Sequence, residues 1–289
     1  MFKIAILGCE NSHANAFLEF IANGEFPDVE AIGVYSYDPE ASQRLHAKFG
    51  VPIMQSYDEL VGKVDGIMVT ARHGDNHLKY ARPYLPTGIP MFIDKPITIS
   101  EQDAVELVEQ AKKYGVRLCG GSTCAYVGET VELKQYFATL EKGKILGGNV
   151  VCPVILENEH GGFFFYSQHL VQVLLEIFGE DPISVTATRK GGNVYAMVEY
   201  PDFSVPLTFG ADTTYYYAEV FTKSAPTARK LHINSDSFRC EMKAMDDLLH
   251  GAEMEKGYLS FIKPVFVLNA IWRSVNSDGA RAEIRYPGV

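Results

Sequence analysis

Asp94-Lys95-Pro96 follows the apolar run Met91-Phe92-Ile93 in a chain that opens with Phe2-Lys3-Ile4-Ala5-Ile6-Leu7-Gly8. A lysine just past a buried strand and fixed by proline suits a place beside a bound cofactor, because proline restrains the backbone and a Lys-Pro bond can be cis in a tight turn. This is an arrangement that a nucleotide-dependent oxidoreductase uses; the tripeptide alone also fits an ordinary surface turn. A second group, Gly8-Cys9-Glu10-Asn11-Ser12-His13, stands where a phosphate loop would be. A dinucleotide fingerprint wants glycine at its second position so that the backbone can approach the pyrophosphate, and here only the first glycine is kept. Glu10 brings a negative side chain near the expected phosphate. Ser12, His13 and the amides at the helix start can form an anion site if Glu10 turns outward; alternatively Glu10 and His13 belong to the substrate or catalytic apparatus. A third group, Arg72-His73-Gly74-Asp75-Asn76-His77, stands at the carboxyl end of a strand, the edge where open α/β sheets bind ligands. Arg72 and His73 can reach an acidic or polyhydroxylated substrate. His73 and His77 have the i, i+4 spacing of some metal pairs, but Gly74 interrupts the helix such a pair needs, and no metal is expected.

The elements that must hold these groups alternate strand and helix. Residues 2–7 form a continuous apolar run that suits a strand buried on both faces, and 12–22 carry Ala16, Phe17, Phe20 and Ile21 at helical spacing. Strands are expected at 29–35, 64–70, 90–93 and 116–119, and helices at 39–49, 76–85 and 100–114, with Asp38-Pro39 and Ser100 marking helix starts. The alternation implies right-handed crossovers and a parallel, doubly wound sheet. Beyond Gly120-Gly121 the pattern changes. Helices are expected at 130–142 and 166–178, a strand at 149–156, and then strands at 183–188, 194–200, 205–211, 215–222 and 230–234 joined by short turns, which implies an antiparallel sheet. Helices at 240–250 and 261–274 and a short strand at 282–286 close the chain. Domains are therefore expected at 1–121 and 122–289, and 289 residues suffice for two cores.

Hydrophobic content of 47% and charged content of 21% describe a folded soluble protein. A formal net charge of -10 argues against binding a phosphate backbone, so nucleic acid is not an expected partner. Five scattered cysteines, out of metal-ligand spacing, read as free thiols in a reducing cytosol, buried as small hydrophobes. The first apolar segment is too short and too weakly basic in front for a secretory signal, and no stretch is long enough to span a bilayer.

Together, the leading strand-turn-helix, the strand closing on Asp94-Lys95-Pro96, the histidine helix behind Gly161-Gly162 and the strand-rich second half resemble the Gfo/Idh/MocA family, typified by glucose-fructose oxidoreductase and inositol dehydrogenase. The resemblance covers essentially the whole chain. It implies an N-terminal Rossmann domain, a C-terminal α/β domain with a large open, mainly antiparallel sheet, and an active site in the cleft between them. It further implies NAD(P) as cofactor, a sugar, polyol or related compound as substrate, and association through the outer sheet face into a homodimer or homotetramer. Hydride transfer from a secondary alcohol also requires removal of the hydroxyl proton, so a cation and a base near that oxygen lower the barrier. Lys95 matches the cation. His169 matches the family's active-site histidine, and an ordinary imidazole titrates near neutrality; a hydrogen-bonded core histidine is the other reading. Tyr166, one turn earlier, can bind substrate hydroxyls or simply pack. Carried over residue by residue, the cofactor set is Gly8, Glu10, Asn11, Ser12, His13, Ser36, Thr70, His77, Asp94, Lys95 and Pro96. The substrate set is Lys95, Arg72, His73, His160, Tyr166 and His169. Glu157 and Glu159 stand in the same loop as His160.

Three departures count against a simple transfer. Family members frequently carry an aspartate four residues before the histidine and another three after it, where this chain has Phe165 and Gln172. The orientation of His169 must then be set by another group. The phosphate loop lacks its second glycine. Where an acid at the end of the second strand would bind a ribose hydroxyl, the chain has Ser36, with Asp38 better placed as a helix cap, so NAD and NADP are not distinguished. Two functions follow: a dehydrogenase or reductase acting on CH-OH groups, or a catalytically impaired member that binds a metabolite in a regulatory role.

Overall fold

The computed structural model describes residues 1–288. The chain divides into two compact units, Met1–Gly121 with Phe238–Ile262, and Ser122–Ser237 with Lys263–Gly288.

In the first unit, β1 (Phe2–Leu7), α1 (Ser12–Ala22), β2 (Val29–Tyr35), α2 (Pro39–Phe49), β3 (Gly66–Val69), α3 (Asp75–Ala81), β4 (Met91–Asp94), α4 (Glu101–Tyr114) and β5 (Leu118–Gly121) alternate. The strands pair in parallel in the order β2-β1-β3-β4-β5. Because this sheet is covered on both faces, its strands are apolar throughout: β3 and β4 are buried at every residue. Local chemistry sets the helix ends. Asn11, Asp38 and Ser100 each accept backbone N–H bonds as N-caps, Pro39 opens α2, and Gly50 and Gly115 close α2 and α4 in the left-handed conformation. In α4, Glu101 and Asp103 stand in the first turn and Lys112 and Lys113 in the last, each sign complementing the helix dipole.

In the second unit, α5 (Gly128–Ala138), β6 (Ile145–Pro153) and α6 (Phe164–Phe178) precede β7 (Ser184–Lys190), β8 (Asn193–Glu199), β9 (Ser204–Gly210), β10 (Tyr216–Thr222) and β11 (Pro226–Leu231). After α7 (Ser235–Leu249) and α8 (Tyr258–Val275), β12 (Ala282–Glu283) completes a seven-stranded sheet in the order β11-β10-β6-β9-β8-β7-β12. The sheet is mainly antiparallel, as expected, with one parallel pair, β6 and β9, at its centre. The intervening α6, β7 and β8 supply the crossover that a parallel pair requires. Strand β8 alternates buried Val194, Ala196 and Val198 with outward Tyr195 and Met197, so one face is buried and the other is open. The stack of Phe163 on Trp272, centroids 4.9 Å apart, ties the start of α6 to α8.

The segment Phe238–Ile262, read from sequence as part of the second domain, packs in the first unit. Met242, Met245, Leu248 and Leu249 of α7 join the hydrophobic cluster of Ile4, Ile6, Phe17, Met68 and Phe92. Gly66 makes room for them: a Cβ there would lie 2.4 Å from the Met245 methyl carbon. A methionine can fill such a gap because its side chain is flexible and unbranched.

Candidate active site

The loop after β1 is built around a close backbone approach. Gly8 has φ 83°, and a Cβ added to it would come within 2.4 Å of Ala71 Cα, so only glycine fits. Thr70 Oγ1 donates to Gly8 O at 2.9 Å, joining this turn to the end of β3. Asn11 then uses its whole side chain. Its Oδ1 accepts from the amides of His13 (2.9 Å) and Ala14 (3.4 Å), and its Nδ2 donates to Thr70 O (2.5 Å) and Asp94 Oδ2 (2.9 Å). Asp94, fully buried, accepts the Lys95 amide on its other oxygen at 2.6 Å. One asparagine therefore links the helix start to the turn carrying Lys95, whose peptide to Pro96 is cis. Lys95 itself is 6% exposed.

Several residues expected to face a ligand hold the framework. His13 is buried with Nδ1 3.2 Å from Asp94 Oδ2 and Nε2 3.4 Å from Glu241 Oε2. Burial outweighs the attraction of Asp94 and pushes its pKa down to about 4, so the ring is neutral near pH 7. The helix-start amides expected to take an anion are shared with Asn11, so the His13 amide already has an acceptor. His77 is fully buried, with Nε2 2.7 Å from Ala71 O and Nδ1 3.2 Å from Ile97 O, and burial lowers its pKa. It braces the loop after β3 against the turn after Pro96. His73 Nδ1 accepts the Asp75 amide at 3.3 Å, at the start of α3. Ser12 is exposed.

Glu10 turns across the sheet edge. Its Oε2 accepts from Ser36 Oγ at 2.8 Å and its Oε1 accepts the Arg72 amide at 3.0 Å. Its carboxylate thus bridges the ends of β2 and β3, which lie on either side of β1. Sequence reading placed Glu10 and Ser36 in the cofactor set and Arg72 in the substrate set; the structure brings all three together. The Glu10 carboxylate with Ser36, and Lys95 in the turn after β4, are polar and charged groups of the kind that would hold a dinucleotide. The amides of His13 and Ala14 are met by the chain's own Asn11 oxygen.

In the second unit, His169 lies on α6 and is 5% exposed. Its Nδ1 is 2.7 Å from Ser122 Oγ and 3.6 Å from Cys124 Sγ, and Ser122 Oγ also accepts the Cys124 amide at 3.1 Å. Ser122 supplies an orienting contact at Nδ1, where neither Phe165 nor Gln172 offers a carboxylate. Phe165 packs on His160, centroids 4.9 Å apart, while Gln172 Nε2 donates to Glu176 at 3.0 Å. The rings of Tyr166 and Tyr216 stand 5.9 and 5.7 Å from the His169 ring. Burial raises the Tyr216 phenol well above its ordinary range, so it remains a hydroxyl donor. Tyr166 and Tyr216 also line a cleft of about 730 Å³ with Glu157, Arg189, Asp212 and Thr213. His160 is held nearby by Asn158, whose Oδ1 accepts the amides of His160 (2.8 Å) and Gly162 (3.2 Å).

Ser122, Tyr216, Asn158 and Arg189 escaped sequence reading. Ser122 alone had a signal, its place directly after Gly120-Gly121. Among the described residues, no group of three or more His, Cys, Asp or Glu is placed to hold a metal ion.

Residues 2–122 match the model of the Gfo/Idh/MocA family, described as an oxidoreductase family with an NAD-binding Rossmann fold. Over 149 residues, half of this chain and 41% of the relative, the sequence is 28% identical to glucose-6-phosphate 3-dehydrogenase of Bacillus subtilis. The curated relatives it matches are covered over less than half their length, from 32% to 46%. Among solved structures, scyllo-inositol dehydrogenase from Lactobacillus casei with bound NAD(H) and scyllo-inositol aligns with TM-score 0.83 and 13% identity, covering 98% of this chain and 99% of that one. The WlbA dehydrogenase from Bordetella pertussis in complex with NADH and UDP-GlcNAcA aligns with TM-score 0.82 and 17% identity, with coverage of 98% and 99%. These structural likenesses establish the fold.

Proposed function

Because the chain belongs, through residues 2–122, to the Gfo/Idh/MocA oxidoreductase family, we propose that it is an NAD(P)-dependent dehydrogenase or reductase acting on a CH-OH group of a small sugar, polyol or derivative. The observation that carries this reading is the buried chain of contacts from Asn11 through Asp94 to the Lys95 backbone. It spends three polar groups on fixing one lysine. The sugar-like substrate is supported by glucose-6-phosphate 3-dehydrogenase among the relatives and by the scyllo-inositol and UDP-GlcNAcA complexes among the structural neighbours. Five free cysteines support a reducing, cytosolic setting, and no described helix is long and apolar enough to cross a membrane.

In this mechanism the nicotinamide, when bound, supplies hydride exchange with the carbon bearing the oxygen. Lys95 is the cation that stabilises charge developing on that oxygen during transfer. His169 is the general acid/base for the hydroxyl proton, and Ser122 holds its Nδ1 so that the ring keeps one orientation. Tyr166 and Tyr216 offer phenol groups to sugar hydroxyls beside it. Arg72, His73 and His160 are candidates for further substrate contacts.

A cofactor-linked absorbance assay across a sugar and polyol panel tests the reading. Lys95→Met and His169→Asn should fold normally and slow turnover, the histidine loss by roughly 10² to 10⁴-fold when proton transfer limits the rate. Full activity in both folded variants overturns the assigned roles. An inactive parent that still binds a panel sugar favours the second reading, a metabolite-binding regulatory protein, for which Phe165 and Gln172 in place of carboxylates speak.

A further inference from the structure

We propose that Glu10, a residue of the phosphate loop, is the acid that binds the adenosine ribose, and that it makes the protein selective for NAD over NADP. The inference rests on the dinucleotide-dependent reading above. In doubly wound sheets the ribose 2′-hydroxyl is met by an acidic residue at the end of the second strand, and a 2′-phosphate is accommodated where an arginine stands there instead. Here β2 ends at Tyr35 and is followed by Ser36, which has no charge. The Glu10 carboxylate fills that deficit from the neighbouring loop, 2.8 Å from Ser36 Oγ.

Three features make this carboxylate a preset acceptor. It is anchored at both oxygens, by Ser36 Oγ at 2.8 Å and by the Arg72 amide at 3.0 Å, so its plane is fixed before a ligand arrives. A carboxylate offers about four lone-pair sites, and these two bonds leave one on each oxygen for a pair of ribose hydroxyls. Ser36 Oγ in turn accepts the Asp38 amide at 3.0 Å, which holds the serine in place. The surrounding charge opposes a phosphate. Asp38 caps α2 beside Ser36, and Arg44 of α2 lies 3.9 Å from both Asp38 and Glu40, while Arg72, whose amide binds Glu10, is the other cation at this edge. A 2′-phosphate would therefore meet Glu10 and Asp38 with an arginine already engaged by two carboxylates.

Fluorescence titration of the full chain with NADH and with NADPH tests this in the native protein, Glu10→Gln and Glu10→Ala. Hydrogen bonds to a charged acceptor predict that native protein binds NADH about tenfold or more tighter than NADPH. Both variants should lose about tenfold or more in NADH affinity while NADPH binding holds or improves, so the preference collapses. Far-UV circular dichroism establishes which variants fold, and either one suffices. Equal native affinities overturn the proposal, as does a parallel change for both cofactors; parallel tightening would mark a side chain that obstructs the pyrophosphate. Binding of neither dinucleotide by native protein overturns the dehydrogenase reading and this inference with it, whereas unselective binding overturns this inference alone.

Discussion

Ser122 and His13 are buried, and each contacts another side chain of the candidate site, Ser122 at His169 and His13 at Asp94. Where the family resemblance implies aspartates around the histidine the chain has Phe165 and Gln172, and the contact at His169 Nδ1 comes from Ser122 on a different segment. Ser122→Ala should therefore lower kcat by roughly tenfold with little change in KM, because a positioning contact is lost and substrate contacts are kept. Ser122→Thr, which keeps the hydroxyl, should recover most of the rate; a KM effect without a kcat effect would refute the positioning role. His13 gives a prediction with a sign. Its folded pKa of about 4 lies below the ordinary 6.5, so the unfolded chain takes up a proton first as pH falls. Stability is unaffected above about pH 6.5 and is lost progressively between there and about pH 4, by up to on the order of 3 kcal/mol. Asp94, Glu241, Lys95 and His77 surround the ring: burial is the largest effect and outweighs the attraction of Asp94, and Lys95 and His77 lower the pKa further. Urea unfolding at pH 7 and pH 5 should show this slope in native protein and a shallower one in His13→Gln. An equal slope in both would remove His13 as its source.

At the scale of elements, α1 is the piece on which the first unit's site depends. Its N-cap, Asn11, also binds the ends of β3 and β4 through Thr70 O and Asp94. Asn11→Ala should cost about 2 kcal/mol or more, the cap's contribution plus that of a carboxylate stripped of a donor, readable as a lower urea midpoint with unchanged slope. Loss of under half a kcal/mol would mean that the cap is dispensable. Most of these elements were legible before any coordinates. Residues 2–7, 12–22, 29–35 and 39–49 match β1, α1, β2 and α2 end for end, because apolar periodicity and the caps Asn11 and Asp38-Pro39 act locally. Other boundaries moved by a few residues: β6 begins at Ile145 rather than 149, and α7 at Ser235 rather than 240. The parallel pairing of β6 with β9 was illegible because pairing depends on partners more than fifty residues apart, not on local pattern. The docking of α7 against β3 is of the same kind, a match between Gly66 and Met245 that neither residue announces alone. Within the candidate site, motif and resemblance singled out Lys95 and His169, and the structure buries both. Ser122 was not singled out, since one hydroxyl beside a distant histidine leaves no spacing to recognise.

At the scale of the whole molecule, the open face of the seven-stranded sheet is the feature that a single chain leaves uncovered. Tyr195 and Met197 of β8 are 41% and 38% exposed. Register carries their rows across the sheet: Tyr195 stands opposite Thr208, Thr208 opposite Val151, and Val151 opposite Tyr217, while Met197 stands opposite Pro206. Side chains in such rows share one face, whose centre is apolar and hydroxyl-bearing, while Glu219 and Lys230 stand in the same rows at the β10–β11 end. A formal net charge of -10 disfavours contact between copies elsewhere, where like charges would meet. The apolar rows are the place where association removes the most apolar area from water with the least repulsion. Native protein at micromolar concentration should therefore scatter light as a dimer or tetramer. Replacing both Tyr195 and Met197 with glutamate should yield monomer, since each buried carboxylate would lack a partner in a symmetric interface. The doubly substituted chain should keep its far-UV circular dichroism, because both side chains point away from its own core. A native protein that is monomeric at these concentrations, or a variant whose assembly is unchanged, would assign another role to this face.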